Sequence, residues 1–559
     1  MITVRRWYLY LMSFISLIVL LVGVINLLGV LLYAWTAART VYDAGLDTYV
    51  RHQVALWGGL VLAALPLHVL HWWLAGTPTA EGAGERSASL RKAYLYAAMA
   101  VTLGIALVNG GRLLNELLGL ALQIGFRADW PHEPLGWLGA TLVGALGGLY
   151  LWRTTLADGD FIQEVGGAAS WRRIYFMLAA FLGLAGMLLS AATLLSTVVE
   201  LFIPTSRYDA MGNWWQVRLA SNGAILLVTS VLWLYGYNRL RSWTFLATRE
   251  RQAVSQKLYL YGAVLVGAAA TLISAAWLLR WGLLLLLGEP MPSLQQLIQD
   301  LSTPLAFLVI GIVIWVGHEQ LVRGELVRAA ETPQQAMVRR LYFYLVAAVA
   351  LGVFWFGLTD LLRVGLELAL GTRSPFDAGG YWWRERLGLA LALVVVGGPT
   401  WWLHWWVMQV RAREVSASGA DERRSTLRKI YLYGVAFIGA VLVMFNLAAI
   451  LYRALTLLLG EQAGPDFIRS VTSALAILAV AALWWLYHAL AIRRDGRRVM
   501  AEMPVAPAPP PLQTPSLQRT RMEVEIANLH TQIARIEEDM AAFQEGLAKL
   551  RTILEQQEE

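Results

Sequence analysis

The chain has 559 residues, 58% of them hydrophobic and only 15% charged, with no cysteine and a formal net charge of +7. A soluble domain carries about 25% charged residues, so lipid is the expected solvent for most of this chain; the lack of cysteine excludes disulfides, thiolate metal sites, iron–sulfur clusters and cysteine nucleophiles. The basic excess is scattered through short loops beside apolar runs rather than clustered on one soluble face, which is no footprint for nucleic acid.

The first apolar run, Leu11 to Tyr33, follows Arg5 and Arg6. It is too long for a secretory h-region and lacks a small-residue cleavage site, so it reads as a first membrane span. It also opens a repeat. A basic pair or single lysine followed by tyrosine and aromatic neighbours occurs six times, as RRWYLY, RKAYLY, RRIYFM, QKLYLY, RRLYFY and RKIYLY, with first tyrosines at Tyr8, Tyr94, Tyr175, Tyr259, Tyr342 and Tyr431. Self-similarity at a fixed period marks a repeat architecture.

Each unit continues with about 25 apolar residues, a polar loop, a second apolar run ending in Trp, His or Tyr, and a basic connector; runs of about 20 apolar residues are long enough to cross hydrocarbon. The second runs begin near Ala55, Leu135, Leu219, Thr303, Leu387 and Val471. The expected fold is therefore all-α: a polytopic bundle of about twelve spans over residues 1–495, in six tandem two-helix repeats starting near 5, 91, 172, 256, 339 and 428. Lys and Arg are about twice as frequent in the connectors between units as in the loops within them, which by the positive-inside rule puts both termini in the cytoplasm. Units with an even number of spans insert in one orientation, making these parallel repeats.

The second spans end in a recurring slot. His71, His318 and His404 occupy it in three units, Trp152 and Tyr237 in two others, with His68 and His488 in related endings. Imidazoles on facing helices can hold haem or metal, which makes His71, His318 and His404 the cofactor candidates. The competing reading, and the one adopted, is an aromatic belt at the membrane interface with Trp72, Trp73, Trp401, Trp402, Trp405 and Trp406, and no cofactor and no metal. Charges are nearly absent from the middle of the spans: Arg112, Arg280, Asp360, Arg363 and Arg453 fall near the outer boundary, where they read as snorkelling anchors, and Asp360 and Arg363 are spaced to pair. Asn446 is read as an interhelical hydrogen bond, and Gly144, Gly147, Gly148, Gly397 and Gly398 as points of close helix approach. Pro66 and Pro399, each five residues before a histidine, are possible kink sites. No phosphate loop, HExxH, GxSxG or dinucleotide fingerprint occurs in a suitable context, so no catalytic residue is assigned and no enzyme is expected.

Beyond the bundle, residues 496–518 form a proline-rich linker expected to be extended. In 519–559 apolar residues alternate four and three apart: Met522, Ile526, Leu529, Ile533, Ile536, Met540, Phe543, Leu547, Leu550 and Leu554. That is a heptad seam, and it predicts oligomerisation through Ile526, Leu529, Ile533, Ile536, Met540, Phe543, Leu547 and Leu550, with a second copy or with another coiled-coil protein.

The Tyr-Leu-Tyr openings, combined with second spans ending as PLHVLHWWL and PTWWLHWWV, resemble an uncharacterised family of bacterial integral membrane proteins known only as a domain of unknown function. The resemblance covers about residues 1–495. It implies a bacterial cytoplasmic (inner) membrane, with the bilayer itself as partner, and carries over no catalytic residue. Three functions stay open: a membrane scaffold or sensory/assembly protein with an oligomerising cytoplasmic tail, a transporter or permease, and a haem- or quinone-linked redox subunit.

Overall fold

The structure is a computed structural model that describes residues 2–37, 44–76, 88–124, 132–159, 161–202, 212–290, 292–328, 331–370, 382–460, 462, 464–502 and 515–557. Among them all regular structure is helical. In chain order the helices are α1 (Ile2–Ala37), α2 (Ala44–Gly76), α3 (Ser89–Ala121), α4 (His132–Ala157), α5 (Gly166–Leu201), α6 (Trp214–Leu246), the short α7 (Thr248–Arg251), α8 (Val254–Leu286) and α9 (Leu294–Arg328). They continue with α10 (Pro333–Ala369), α11 (Trp382–Arg413), the short α12 (Ala417–Arg424), α13 (Thr426–Leu458), α14 (Pro465–Glu502) and α15 (Pro515–Gln557). Two compact units result, Met1–Ala489 and Leu490–Glu559.

Among the described residues twelve helices are long and apolar enough to cross a membrane, and they fall at the twelve places the repeat predicts. The short, glycine-rich run from Leu135 to Trp152 is one of them, extended by flanking residues into α4. Pro66 and Pro399 both lie inside unbroken helices.

Within a unit the two long helices form an antiparallel hairpin. In the first, Tyr8 meets His71, Gly23 lies against Val61 and Tyr33 meets Tyr49, so contacts advance along one helix as they retreat along the other. Glycine sets the spacing, since the lack of a side chain lets two helix backbones approach closely. A Cβ on Gly144 would stand 2.7 Å from the backbone nitrogen of Ala106, and one on Gly397 2.8 Å from that of Phe354. The same device recurs at Gly236 against Ala180 and at Gly267 against Trp315, both 2.5 Å.

Successive units pack in chain order, the first helix of each unit on both helices of the next: α1 on α3 and α4, α3 on α5 and α6, α5 on α8 and α9, α8 on α10 and α11. The hairpin turns have local causes. After α3, α8 and α13 the chain reverses through a residue of positive φ, Gln123 (59°), Gly288 (77°) and Gly460 (98°), at one register in the repeat, the usual left-handed end of a helix. At the other end α10 opens on a capping box: Thr332 accepts from the Gln335 amide and Gln335 accepts in return, with Pro333 at the first helical position. The Gln335 amide group also donates to the Arg251 carbonyl at 3.0 Å, tying this start to the preceding connector.

Helix α14 runs to Glu502 and α15 begins at Pro515, so helix reaches into both ends of the 496–518 segment; its middle, 503–514, lies outside the described residues. The eight seam residues from Ile526 to Leu550 lie on one continuous helix and are all exposed, by 47% to 69%.

Candidate functional site

The chemistry-bearing side chains gather at one end of the bundle, where second helices finish, connectors run and the next first helices begin. The opening motif explains why. Residues i and i+2 on a helix point about 200° apart, so the two aromatic positions of Tyr-Leu-Tyr face opposite neighbours. The first tyrosine turns toward its own hairpin partner: Tyr8 Oη donates to His71 Nε2 at 3.2 Å, Tyr259 Oη to His318 Nε2 at 3.2 Å, and Tyr175 Oη meets Tyr235 Oη at 3.3 Å. The second tyrosine packs on the first tyrosine of the next unit: Tyr10 on Tyr94, Tyr96 on Tyr175, Tyr261 on Tyr342 and Tyr344 on Tyr431, at 5.0 to 5.8 Å between ring centroids. Met177 breaks the series in the third unit, and there Tyr237 takes over, 5.6 Å from Tyr259. Indole groups add a further link, Trp233 donating to Tyr259 at 2.7 Å and Trp401 to Tyr431 at 3.0 Å.

The histidines belong to this layer. His71 and His318 are buried and His488 wholly so, with His404 half-buried. Each donates its Nδ1 hydrogen to the carbonyl four residues earlier, Leu67, Ile314, Thr400 and Trp484, at 2.7 to 2.9 Å. That fixes the tautomer with Nε2 as acceptor, and in two units a tyrosine fills it. The ring contacts join no two of these histidines, because each sits in its own unit. Their burial departs from an interfacial belt. A lipid-facing belt and an inter-helix cluster share the same aromatic composition, and of the tryptophans Trp73, Trp402 and Trp406 face outward while Trp401 and Trp405 are buried. Among the described residues no group of three or more His, Asp or Glu is placed to hold a metal ion.

Around the aromatics lies a set of buried ion pairs that the sequence reading missed. The basic residues opening the motif are not free for head groups. Arg91 grips Asp158 through two bonds of 2.6 and 3.0 Å, Lys92 Nζ is 2.7 Å from Glu164, Arg172 and Arg173 share Glu250 at 2.6 and 2.8 Å, and Arg340 meets Glu422 at 2.9 Å. Lys92, Arg172, Glu164, Glu250 and Glu422 are all buried. The second tyrosine joins them: Tyr96 Oη donates to Glu164 at 3.0 Å and Tyr344 Oη to Glu422 at 2.5 Å. Aromatic faces cover the cations, Arg172 lying 4.6 Å from the Trp243 ring centroid, Arg91 4.9 Å from Trp72 and Arg428 5.5 Å from Trp405. A buried charge is tolerated only when paired and hydrogen-bonded, and here the connector carboxylate meets that condition. Gly159 and Gly166, both at positive φ, let the connector bend to bring Glu164 inward. The available signal was a glutamate among basic residues in three of the connectors, within FIQEV, TRERQ and ADERR.

At the opposite end Arg363 and Arg280 are paired, though not as expected. Arg363 bonds Glu367 one turn on at 2.9 Å, not Asp360, because four residues place side chains on the same face as well as three do and Glu367 is also 3.8 Å from Arg386. Arg280 lies 3.9 Å from Glu385, and Arg453 sits over the Tyr452 and Phe467 rings. Asn446 donates to the Leu442 carbonyl of its own helix at 2.8 Å, not across to a neighbour.

Three grooves open between successive first helices, of about 350, 310 and 510 Å³. The first two are walled almost entirely by apolar side chains. The largest, between α10, α13 and α14, ends in Thr359, Asp360, Arg363 and Ser473.

This constellation of parallel helix pairs joined by a tyrosine ladder defines a class of repeat-built helical bundle. The chain belongs to the family described as Domain of unknown function (DUF5671), whose model matches residues 6–146, 173–302 and 340–483. The matches begin 167 residues apart, and each runs from the first helix of one hairpin into the second helix of the next, so one family domain takes in two units and the chain carries three in tandem. No curated protein and no solved structure matches the chain.

Proposed function

We propose that this protein is a non-enzymatic membrane scaffold, whose twelve long helices cross the inner membrane of a bacterium and whose α15 gathers copies of the chain, or another coiled-coil protein, on the cytoplasmic side. One observation carries the reading: α15 presents eight apolar seam residues to solvent without a break, and a heptad seam is buried only by another helix. The bundle supports it from the other side, since the buried charges of its connectors and motif openings are paired with one another and its outward surface is apolar, as lipid requires. Both termini and the connectors then face the cytoplasm.

The test combines topology and mass. Reporter fusions at Met1, Gly82 and Pro510 are expected on the cytoplasmic side and one at Asp209 on the other. The full chain in lipid nanodiscs is expected to run as an oligomer whose mass falls when Ile533→Asp and Ile536→Asp are introduced together; an unchanged mass would sink the proposed role of the tail.

A second reading, as a permease, is favoured by the groove of about 510 Å³ with Asp360 and Arg363 at its end, because ionisable groups at membrane depth mark substrate paths. An amphiphile flux in liposomes that Asp360→Asn abolishes would promote it.

A further inference from the structure

The tyrosine ladder has a direction, and its two ends do not match its middle. Where another unit precedes it the first tyrosine is covered, Tyr94, Tyr175, Tyr259 and Tyr431 being exposed by 1% to 7% and Tyr342 half-buried; Tyr8, at the same position of the first unit, is 56% exposed. The second tyrosine is covered wherever another unit follows, with Tyr10, Tyr96, Tyr261 and Tyr344 exposed by 2% to 5%; Tyr433, its counterpart in the sixth unit, is 59% exposed. Around each the same contrast holds. Nine residues after the first tyrosine Leu184, Ala268 and Leu351 are buried, while Ala440 is exposed. On the other end, a Cβ on Gly139 of α4 would stand 2.7 Å from Leu28 of the preceding unit and one on Gly388 of α11 3.3 Å from Leu284, whereas Gly58 of α2, as far before His71 as Gly139 is before Trp152, has open space above it.

We infer that these faces are the two halves of the interface already repeated within the chain, and that a second copy of the chain completes it, α13 of one copy receiving α1 and α2 of the next. Tyr433 then stands against the neighbouring copy's Tyr8 as Tyr344 stands against Tyr431. The argument is continuity with an established interface. A repeat array is closed by a cap with a different outer face, whereas Tyr433 and Ala440 of α13 keep the residue types that receive the next unit elsewhere. Lipid covers apolar side chains as well as protein does, so hydrophobicity alone does not decide the occupant. The uncovered tyrosine ring of α13 does, because each of its counterparts Tyr10, Tyr96, Tyr261 and Tyr344 packs on the first tyrosine of a following unit. The contact joins unlike faces, so it is heterologous and adds copies in a row or closes a ring. It does not use α15, and it stands or falls separately from the scaffold reading.

The absence of cysteine from the chain makes the test direct. The full chain with Tyr8→Cys and Tyr433→Cys is oxidised in native membranes, under the conditions that close the internal pair Tyr10→Cys and Tyr94→Cys. A disulfide-linked ladder of dimers, trimers and larger species is expected, at least about tenfold above the product of Tyr8→Cys with Trp402→Cys, which measures random collision. It should persist when Ile533→Asp and Ile536→Asp are added. Monomer alone would overturn the inference and leave lipid on both ends. So would equal product from Tyr433→Cys by itself, which requires two like faces, or loss of the ladder in the tail variant.

Discussion

The bundle and the tail handle their difficult side chains in opposite ways. In the bundle Arg172, with no exposed surface, lies between Glu250 and the Trp243 ring, and its neighbours Lys92 and Arg428 are as deeply buried. In α15 charge is outside, where Lys549 and Glu545 pair at 2.8 Å in full contact with solvent, and it is Ile533, Ile536 and Phe543 that have nowhere to go. The bundle carries its partners for charge within its own connectors, so those bonds survive in one chain. The tail leaves its seam residues uncovered along α15, so on the scaffold reading its stability depends on another helix. In the first region buried charges are satisfied beside an apolar core, and in the second an apolar seam is left exposed.

That comparison is broken most severely at Glu250. Replacing it with Ala leaves Arg172 and Arg173 without a counter-charge in a closed site, and removing one partner of a buried pair costs about 3–5 kcal/mol. Glu250→Ala should therefore lower the thermal unfolding midpoint of the detergent-purified protein sharply, while Arg323→Ala, which breaks an exposed pair one helix turn apart, leaves it unchanged. Equal effects from the two variants would mean that burial does not distinguish the connector pairs.

The tail supplies the next largest effect. With Ile533→Asp and Ile536→Asp together, a peptide covering residues 517–559 should lose concentration-dependent helix melting by circular dichroism, a weakening of at least about a hundredfold, or roughly 2.8 kcal/mol. Insertion of the full chain into membranes should not change. A wild-type peptide that stays monomeric and disordered at high micromolar concentration would show that α15 docks on a different protein.

How far the sequence revealed these arrangements depends on the length scale of each interaction. Span positions, the six-unit period and the close approach at Gly144 and Gly397 were legible because each follows from local composition and period. The Arg363–Glu367 bond was missed because Arg363 has a carboxylate about one turn away on either side, and three- and four-residue spacings on a helix are equally good. The connector carboxylates were missed altogether. Glu164 and Lys92 are far apart in the chain, and nothing short of the hairpin geometry brings them within 2.7 Å. The burial of His71 and His318 was not legible, because a cluster of Trp, Tyr and His at a helix end has one composition whether it faces lipid or the next repeat. The alternation within Tyr-Leu-Tyr held the decisive hint: a belt needs rings on the outward side only, whereas positions i and i+2 put them on both.

The hydroxyls sharpen the comparison inside the bundle. Tyr344→Phe keeps the ring stacked on Tyr431 and removes only the 2.5 Å bond to Glu422 and the 3.3 Å contact from Arg428. Losing a hydrogen bond to a charged group costs about 1.5 kcal/mol or somewhat more. Tyr433→Phe, at the exposed end of the ladder, should cost nothing measurable in the same thermal assay. If the two substitutions behave alike, the ladder is held by ring packing and the connector carboxylates serve only their basic partners.

The smallest effect tests a turn. Gln123 follows α3 at a φ of 59°, the position filled by Gly288 after α8 and Gly460 after α13, and the amide of Ile124 closes the turn on the Gly119 carbonyl at 3.0 Å. A residue with a Cβ is strained in the left-handed region, while glycine enters it freely at the cost of more entropy lost from the unfolded chain. The strain outweighs the entropy at such a helix end, so Gln123→Gly should stabilise the protein by about 0.5–1 kcal/mol, and Gly288→Gln should destabilise it by a similar amount. The pair is informative because the two sites share one register in the repeat: opposite and comparable shifts in thermal midpoint would establish that the hairpin turns are interchangeable, whereas a gain at neither site would mean that the contacts around each turn, including the 2.6 Å bond from Arg384 to the Gly288 carbonyl, outweigh the backbone preference.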